Sequence, residues 1–302
     1  ERVAGGAPRI PGNERYYSEE DAENNIRAPL RLLQSKAAAL YFGEEAKADD
    51  NTVGEAAATV RYAEHFDMDE LQRVLKKLKN GKAPGNDRVI NEMIKYAGEE
   101  FHELLLELYN RCLDMEAIPN EWKVGKVTAI FKNKGDPAAW SQQRYLVMTS
   151  AFCKVLEAML DHRLRCHFED ENFPGHWEEA QWGFRLGRGC APQVYLLRRY
   201  IRQRMARKQP TYVAFIDLWK AFPSTNRKAL LVQLHKAGVR GSLWRMLQGM
   251  GAGAVNEVHR DGHKSRRYSV ESGLREGSVL SPGLFLVFIN ELIRRLNGHG
   301  KV

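Results

Sequence analysis

Residues 212–225 read YVAFIDLWKAFPST, an apolar run that ends on a single carboxylate, Asp217. Aromatic and branched residues with no turn former make 212–216 a buried strand by expectation. Asp217 then sits at the strand's C-terminal edge, where α/β folds place ligands. An acid held there suits Mg2+, which takes one or two carboxylates and leaves its other positions to phosphates and water. An Asp capping the helix that follows would read the same way, so Asp217 by itself does not decide. Phe222, five residues on, begins the next turn and can wall the same site.

Three more stretches carry charge or glycine in patterns that suit a nucleotide or a nucleic-acid strand. Residues 126–131 read as a short β-branched strand, KNKGDP at 132–137 as its turn, and 143–150 as a returning strand. Such a hairpin mounts Lys132, Lys134 and Arg144 rigidly. Lysine as a point charge and arginine as a planar fork suit a triphosphate, although a solvated surface hairpin is the commoner outcome. The segment QWGFRLGRGC at 181–190 combines glycines that permit close backbone approach, arginines for phosphate and an aromatic ring for stacking. GLREGSVLSP at 273–282 is a loop that either lies flat against a base pair or is a long capped turn. It leads into a helix over 283–296, with Ser281 as N-cap and Pro282 at the first helical position.

The elements that must position these groups follow from periodicity and punctuation. Leu71, Val74, Leu75 and Leu78 have helical spacing over 69–79, and NGKAPGND breaks the chain at 80–87. Helices are expected over 89–96 and 99–115, the second with Leu104, Leu105, Leu108 and Cys112 on its core face. Residues 150–170 form a long amphipathic helix capped by Ser150, with Phe152, Val155, Leu156, Met159 and Leu160 as its apolar side. A basic helix spans 194–207, another runs from Pro223 to about Gly238, and a short one covers 240–250. Residues 252–259 and 264–270 flank Asp261-Gly262, a hairpin signal. Ahead of all this, 1–15 is a Gly/Pro/Arg-rich lead, Ser18 starts a helix to about Leu40, and 43–58 is an acidic linker.

The 302 residues suffice for a sizeable core, and 43% hydrophobic with 28% charged residues is a globular composition. No apolar run approaches the roughly 18–20 residues of a membrane span, and no N-terminal signal pattern is present. The chain opens on Glu1 rather than Met, so a fragment or processed product is expected. Four scattered cysteines without a CxxC pair are expected as buried free thiols in a reducing, intracellular compartment, nuclear or cytoplasmic. The net charge of +8 is uneven: residues 1–70 carry 8 Lys/Arg against 15 Asp/Glu, and the remaining 38 basic and 23 acidic residues give a body of +15. A basic body behind an acidic lead is the footprint of a nucleic-acid binder.

Several short stretches resemble, in order, the reverse transcriptase domain of LINE-type non-LTR retrotransposons. FIDLWKAF is similar to motif A in its FxDxxKAF form, and KLKNGKAPGND to the KxxKAxGxDG segment that opens the fingers. PxxW, IFKNKGD and QxRxL resemble the fingers segment PxxW…xxKKGD…NYRPI. QWGFRLGRG resembles the template-contacting QxGFRxGRS, and GLREGSVLSPGLF resembles motif B, GVRQGSxLSPLLF. Departures are Arg88, Gln142-Gln143, Tyr145, Trp182, Pro192, Pro223, Glu276 and Gly283.

The resemblance implies an α+β fold: the fingers and incomplete palm of a right-hand polymerase, helix-rich with a small antiparallel sheet. It spans 61–302 behind a lead and linker over 1–60, with motif A at 212–225 and motif B at 273–285; motif C and the thumb are expected beyond Val302. It implies two-metal nucleotidyl transfer with two Mg2+ ions, Asp217 as the catalytic carboxylate and the Leu218 carbonyl as a second metal ligand. Lys132, Arg144, Phe222, Glu276 and Gly277 would bind the nucleotide, with Phe222 crowding a ribose 2′-OH. Gly183, Phe184 and Arg185 would contact template. The implied partners are an RNA template, a DNA primer and dNTPs, with an upstream endonuclease module in the full-length protein and no membrane. Residues 1–302 alone are expected not to polymerise, because the chemistry wants more carboxylates than Asp217. A nucleic-acid-binding remnant without catalysis is the alternative.

Overall fold

The computed structural model describes residues 65–299, apart from positions 137, 138, 140, 141, 174 and 261. The expected helix over 18–40 and the linker over 43–58 lie outside the described residues.

Helix α1 (Met68–Lys77) starts where a capping box forces it to. Asp67 accepts from the Glu70 amide at 2.7 Å, and Glu70 reaches back to the Asp67 amide at 3.2 Å. Its apolar stripe buries Leu71, Val74 and Leu75. The short α2 (Asn91–Lys95) and the longer α3 (Glu99–Asp114) follow. The core face of α3 is rotated from the expected one. Leu105, Tyr109, Cys112 and Leu113 are buried, whereas Leu104 and Leu108 are exposed. Tyr109 fixes the rotation: its ring packs edge-on to Trp122, and its hydroxyl donates to the Phe152 carbonyl at 2.9 Å.

A small mixed sheet carries the hairpin of Lys132 and Arg144. Strands β1 (Val124–Phe131) and β2 (Gln143–Met148) are antiparallel, and β3 (Val255–Arg260) runs parallel to β1 on its other side. Two short strands, β4 (His263–Lys264) and β5 (Tyr268–Ser269), pair antiparallel with β3. The expected antiparallel sheet is thus mixed, since β1 and β3 come from distant parts of the chain.

Helix α4 (Ala151–Glu169) is the spine of the core. Ser150 caps it by accepting from the Phe152 amide, and Val155, Leu156, Met159, Leu160, Leu164 and Phe168 are buried along it. Arg163 on this helix grips both oxygens of Glu70, at 2.8 and 2.7 Å, and so ties α4 to α1. Helices α6 (Arg227–Lys236), α7 (Gly241–Gly251) and α8 (Ser281–His299) complete the core through Leu230, Leu234, Leu243, Met246 and Leu286. Helix α5 (Cys190–Ala206) buries no residue among those described.

Two expected elements differ. Residues 212–216 form no strand: Tyr212 is 92% exposed and Phe215 88%. A strand apolar on both faces needs sheet neighbours, and no described strand lies beside this segment. Helix α6 begins at Arg227 rather than Pro223, because Asn226 provides the cap by accepting from the Ala229 amide. Of the four free cysteines, Cys112 and Cys153 are buried as expected, while Cys166 and Cys190 are exposed.

Candidate nucleotide and template site

The β1–β2 hairpin gives two of the candidate cations one face. Ile130 pairs with Arg144 and Thr128 with Leu146, and the Lys132 amide extends the ladder by donating to the Gln142 carbonyl at 2.9 Å. With a side-chain period of two, Lys132, Ile130, Arg144 and Leu146 share the open face, while Val127 and Val147 point to the core. Lys132 and Arg144 are therefore diagonal cross-strand neighbours, and both are exposed.

The 273–281 loop lies along the outer edge of β2. The Val147 amide donates to the Glu276 carbonyl at 2.8 Å. The next residue, Gly277, has φ +112°, and a Cβ there would stand 2.6 Å from the Val147 carbonyl oxygen. Only glycine fits both the conformation and the approach. Arg227 anchors the start of the loop by donating to the carbonyls of Gly273, Gly251 and Val270 at 2.7, 2.8 and 2.8 Å. Burial brings this guanidinium down to about 10, helped by the charge of Arg275. Arg275 in turn donates to the Lys123 carbonyl. Ser281 does not cap α8 as expected; it is the first helical residue, and its hydroxyl closes the loop on the Arg275 carbonyl at 2.8 Å.

The turn over 219–225 is locked to that loop. Asp217 and Leu218 are exposed and immediately precede it. Ser224 donates through its amide to the Lys220 carbonyl and through its hydroxyl to the Trp219 carbonyl. The Phe222 carbonyl accepts from the Leu274 amide at 2.7 Å, and the Thr225 carbonyl accepts from the Gly273 amide at 3.0 Å. The Phe222 ring sits between Phe184, 6.0 Å away, and Phe285, 5.4 Å away.

Electrostatics reveal a cation that motif reading gave no role. Burial lowers the Lys220 ammonium, Lys132 lowers it further, and Glu276 opposes both. Burial raises the half-buried Glu276 carboxyl against the pull of Lys132, Lys220 and Arg144. Three cations and one acid thus share one neighbourhood. The only sequence signal for Lys220 is its place three residues after Asp217. A positive φ of 47° in a tight turn is what turns it toward the hairpin residues, and no periodicity foretells that.

The 181–189 loop divides its labour. Gly183 is exposed and Phe184 is 54% exposed. Arg185 differs from the expected template contact: it is buried, clamps the Glu169 carboxylate, and donates to the Glu178 and Gln181 carbonyls. Its donors are spent on shaping the loop. Arg188 is held by both oxygens of Glu179 and lies 5.4 Å over the Trp182 ring.

Among the described residues, no three His, Cys, Asp or Glu side chains stand together as a metal cluster. The hard oxygen donors at the expected place are the Asp217 carboxylate and the adjoining Leu218 carbonyl. No helix among the described residues is long and apolar enough to cross a membrane.

Comparison with known proteins adds to this geometry. A family model described as reverse transcriptase (RNA-dependent DNA polymerase) matches residues 131–301. The chain is 26% identical over 226 residues to the RNA-directed DNA polymerase from mobile element jockey of Drosophila melanogaster, covering 74% of this chain and 24% of that protein. It is 28% identical over 254 residues to the putative 115 kDa protein in type-1 retrotransposable element R1DM of the same species, covering 81% and 23%. A probable RNA-directed DNA polymerase from transposon BS is 27% identical over 229 residues, covering 74% and 24%. The chain spans about a quarter of the length of these curated relatives.

Proposed function

Because the chain belongs to the reverse transcriptase (RNA-dependent DNA polymerase) family, we propose that it supplies the nucleotide and template side of an RNA-directed DNA polymerase of a LINE-type element. The observation that carries this reading is the approach of Gly277 to the Val147 carbonyl. It sets a flat, glycine-bearing loop beside the face that holds Lys132 and Arg144. An incoming dNTP would lay its triphosphate over Lys132, Arg144 and Lys220, whose charges offset the charge of the leaving group. Its sugar would rest against Phe222, which crowds a 2′-OH. The new base pair would lie against Gly277, while Gly183 and Phe184 face the RNA template. Arg185 acts by holding that loop in shape.

Asp217 and the Leu218 carbonyl are hard oxygen donors of the kind Mg2+ takes. They are this chain's share of the site for ions that, when bound, activate the primer hydroxyl and steady the leaving phosphate. Because these donors are only part of the set such chemistry needs, residues 1–302 alone would bind template and primer without extending it. An endonuclease module upstream belongs to the same reading. No observation favours the non-catalytic remnant.

The test is primer extension on an RNA template by the longer protein that carries this chain, with Mg2+ and dNTPs. Incorporation is expected, and Asp217→Asn should lower it by on the order of 100-fold or more. Salt-sensitive template binding without incorporation, or incorporation indifferent to Asp217→Asn, would sink the reading.

A further inference from the structure

Glu157 is an acid in the middle of the core, with no counter-ion bonded to it among the described residues. It lies on α4 and is 4% exposed. One carboxylate oxygen accepts from the Val279 amide at 2.8 Å, and the nearby Ser278 side chain helps to lower the carboxyl against burial. The other oxygen faces the Cys153 thiol at 3.9 Å. Among the described residues its one strong partner belongs to the 273–281 loop and none to a neighbouring helix. An acid costs several kcal/mol to bury unless its hydrogen bonds are made. A hydrophobic residue would fill this place in a helix whose neighbouring positions, Val155, Leu156, Met159 and Leu160, are all apolar and buried. The position therefore calls for an acceptor rather than for packing.

Elsewhere, among the described residues, hydrogen bonds to other segments hold this loop over 273–276 and Ser281 closes its end. Arg227 holds Gly273, the Val147 amide holds the Glu276 carbonyl, and Ser281 holds the Arg275 carbonyl. The stretch 277–279 crosses between these anchors, and among the described residues the Val279 amide finds its acceptor in Glu157. Gly277, with its positive φ, would otherwise let this stretch swing away from β2.

We propose that Glu157 is the positioning residue of the 277–279 segment: its buried carboxylate holds the Val279 amide from behind, so that Gly277 presents a fixed flat surface beside Lys132 and Arg144. The inference deepens the polymerase reading and rests on it for the identity of what is presented to, a base-paired dNTP. The holding itself stands without that reading.

The test uses two variants of this chain and one of the longer protein. Glu157→Met fills the volume without an acceptor, and Glu157→Gln keeps an acceptor for the Val279 amide. Hydrogen exchange is followed by mass spectrometry. In Glu157→Met, protection of peptides covering 275–281 should fall by about tenfold, the loss expected for a hydrogen bond to a charged group. Peptides of α1 and α3 should stay at the parent rate, and Glu157→Gln should recover most of the protection. Unchanged exchange at 275–281 in Glu157→Met overturns the proposal, as does a loss spread evenly over the chain or a failure of Glu157→Gln to rescue. In the longer protein, with dTTP and a primed RNA template, Glu157→Met should raise KM for dTTP by about tenfold, in line with the same lost bond, while kcat falls less. If the parent protein incorporates no dTTP while the exchange result holds, the polymerase reading fails and the positioning role survives. If exchange responds and KM does not, the loop is held by Glu157 but does not meet the nucleotide, which overturns the proposal in its second half.

Discussion

Gly273 approaches the Pro223 backbone so closely that position 273 leaves no room for a side chain. Gly273 has φ +80°, and a Cβ built on it would stand 2.5 Å from the Pro223 carbonyl oxygen and 2.8 Å from the Pro223 Cα. This contact joins the turn after Asp217 to the loop that carries Glu276 and Gly277. Pro223 takes part through its backbone, within a turn that precedes α6, not as the first turn of a helix.

Gly273→Ala is expected to destabilise the chain by roughly 2–4 kcal/mol, through the left-handed conformation and the backbone clash together. Urea unfolding of both proteins measures this through a lowered midpoint at constant slope. A change within about 0.5 kcal/mol would mean that the two segments separate freely.

Arg185→Ala removes the clamp on Glu169 and leaves the Glu178 and Gln181 carbonyls short of a donor. Glu169 is more exposed than Arg185, so the cost is set at about 1–3 kcal/mol rather than the full cost of breaking a buried pair. Arg185→Lys should recover little of it, since an ammonium cannot span the same acceptors. Limited proteolysis within 181–189 should rise in both variants. Resistance equal to the parent would show that the loop is held by other contacts.

Glu276→Gln removes a negative charge that interacts with Lys132, Arg144 and Lys220. In the longer protein the KM for dNTP is expected to fall by about three- to tenfold at neutral pH, a change of the size expected for one partly screened charge. Burial raises Glu276, so the parent's affinity should also improve as pH falls toward the raised value, and the variant should lose that dependence. Steady-state kinetics across pH 5–8 (about the range where His and raised acids titrate) reads both effects. A rise in KM for Glu276→Gln would show that the acid contacts the nucleotide favourably.

Glu157 should leave a mark on stability against pH. Burial is the first cause of its raised value, opposed by the Val279 amide and the Ser278 side chain. An acid whose folded value lies above its unfolded one binds more protons when folded. Its contribution is therefore fully present below the unfolded value near 4.5, and it is lost as pH rises through the raised folded value. Glu157→Gln, neutral throughout, should flatten that decline in thermal unfolding between about pH 4 and 7. A decline of the same slope in the variant would assign it to other groups.

Where the short-range pattern is decisive, sequence alone reached the answer. The spacing of Leu71, Val74 and Leu75, the Ser150 cap, the Lys132 and Arg144 hairpin, and the turn at Gly262 all rest on interactions close in sequence. The ordered motifs also carried the family, because each preserves residue types that a particular chemistry needs. The tertiary structure decided what depends on distant partners. Residues 212–216 have strand composition, but they form a strand only if a neighbour completes the ladder, and no described strand does. Arg185 carries the same charge whether it points to solvent or to Glu169, and only the fold chooses. Lys220 joins Lys132 and Arg144, and Glu157 meets Val279 across 122 positions, because β2, α4 and the 273–281 loop converge. Local propensity sets periodicity and caps, whereas the direction of a charged side chain is set by which acceptors the packed chain leaves within its reach.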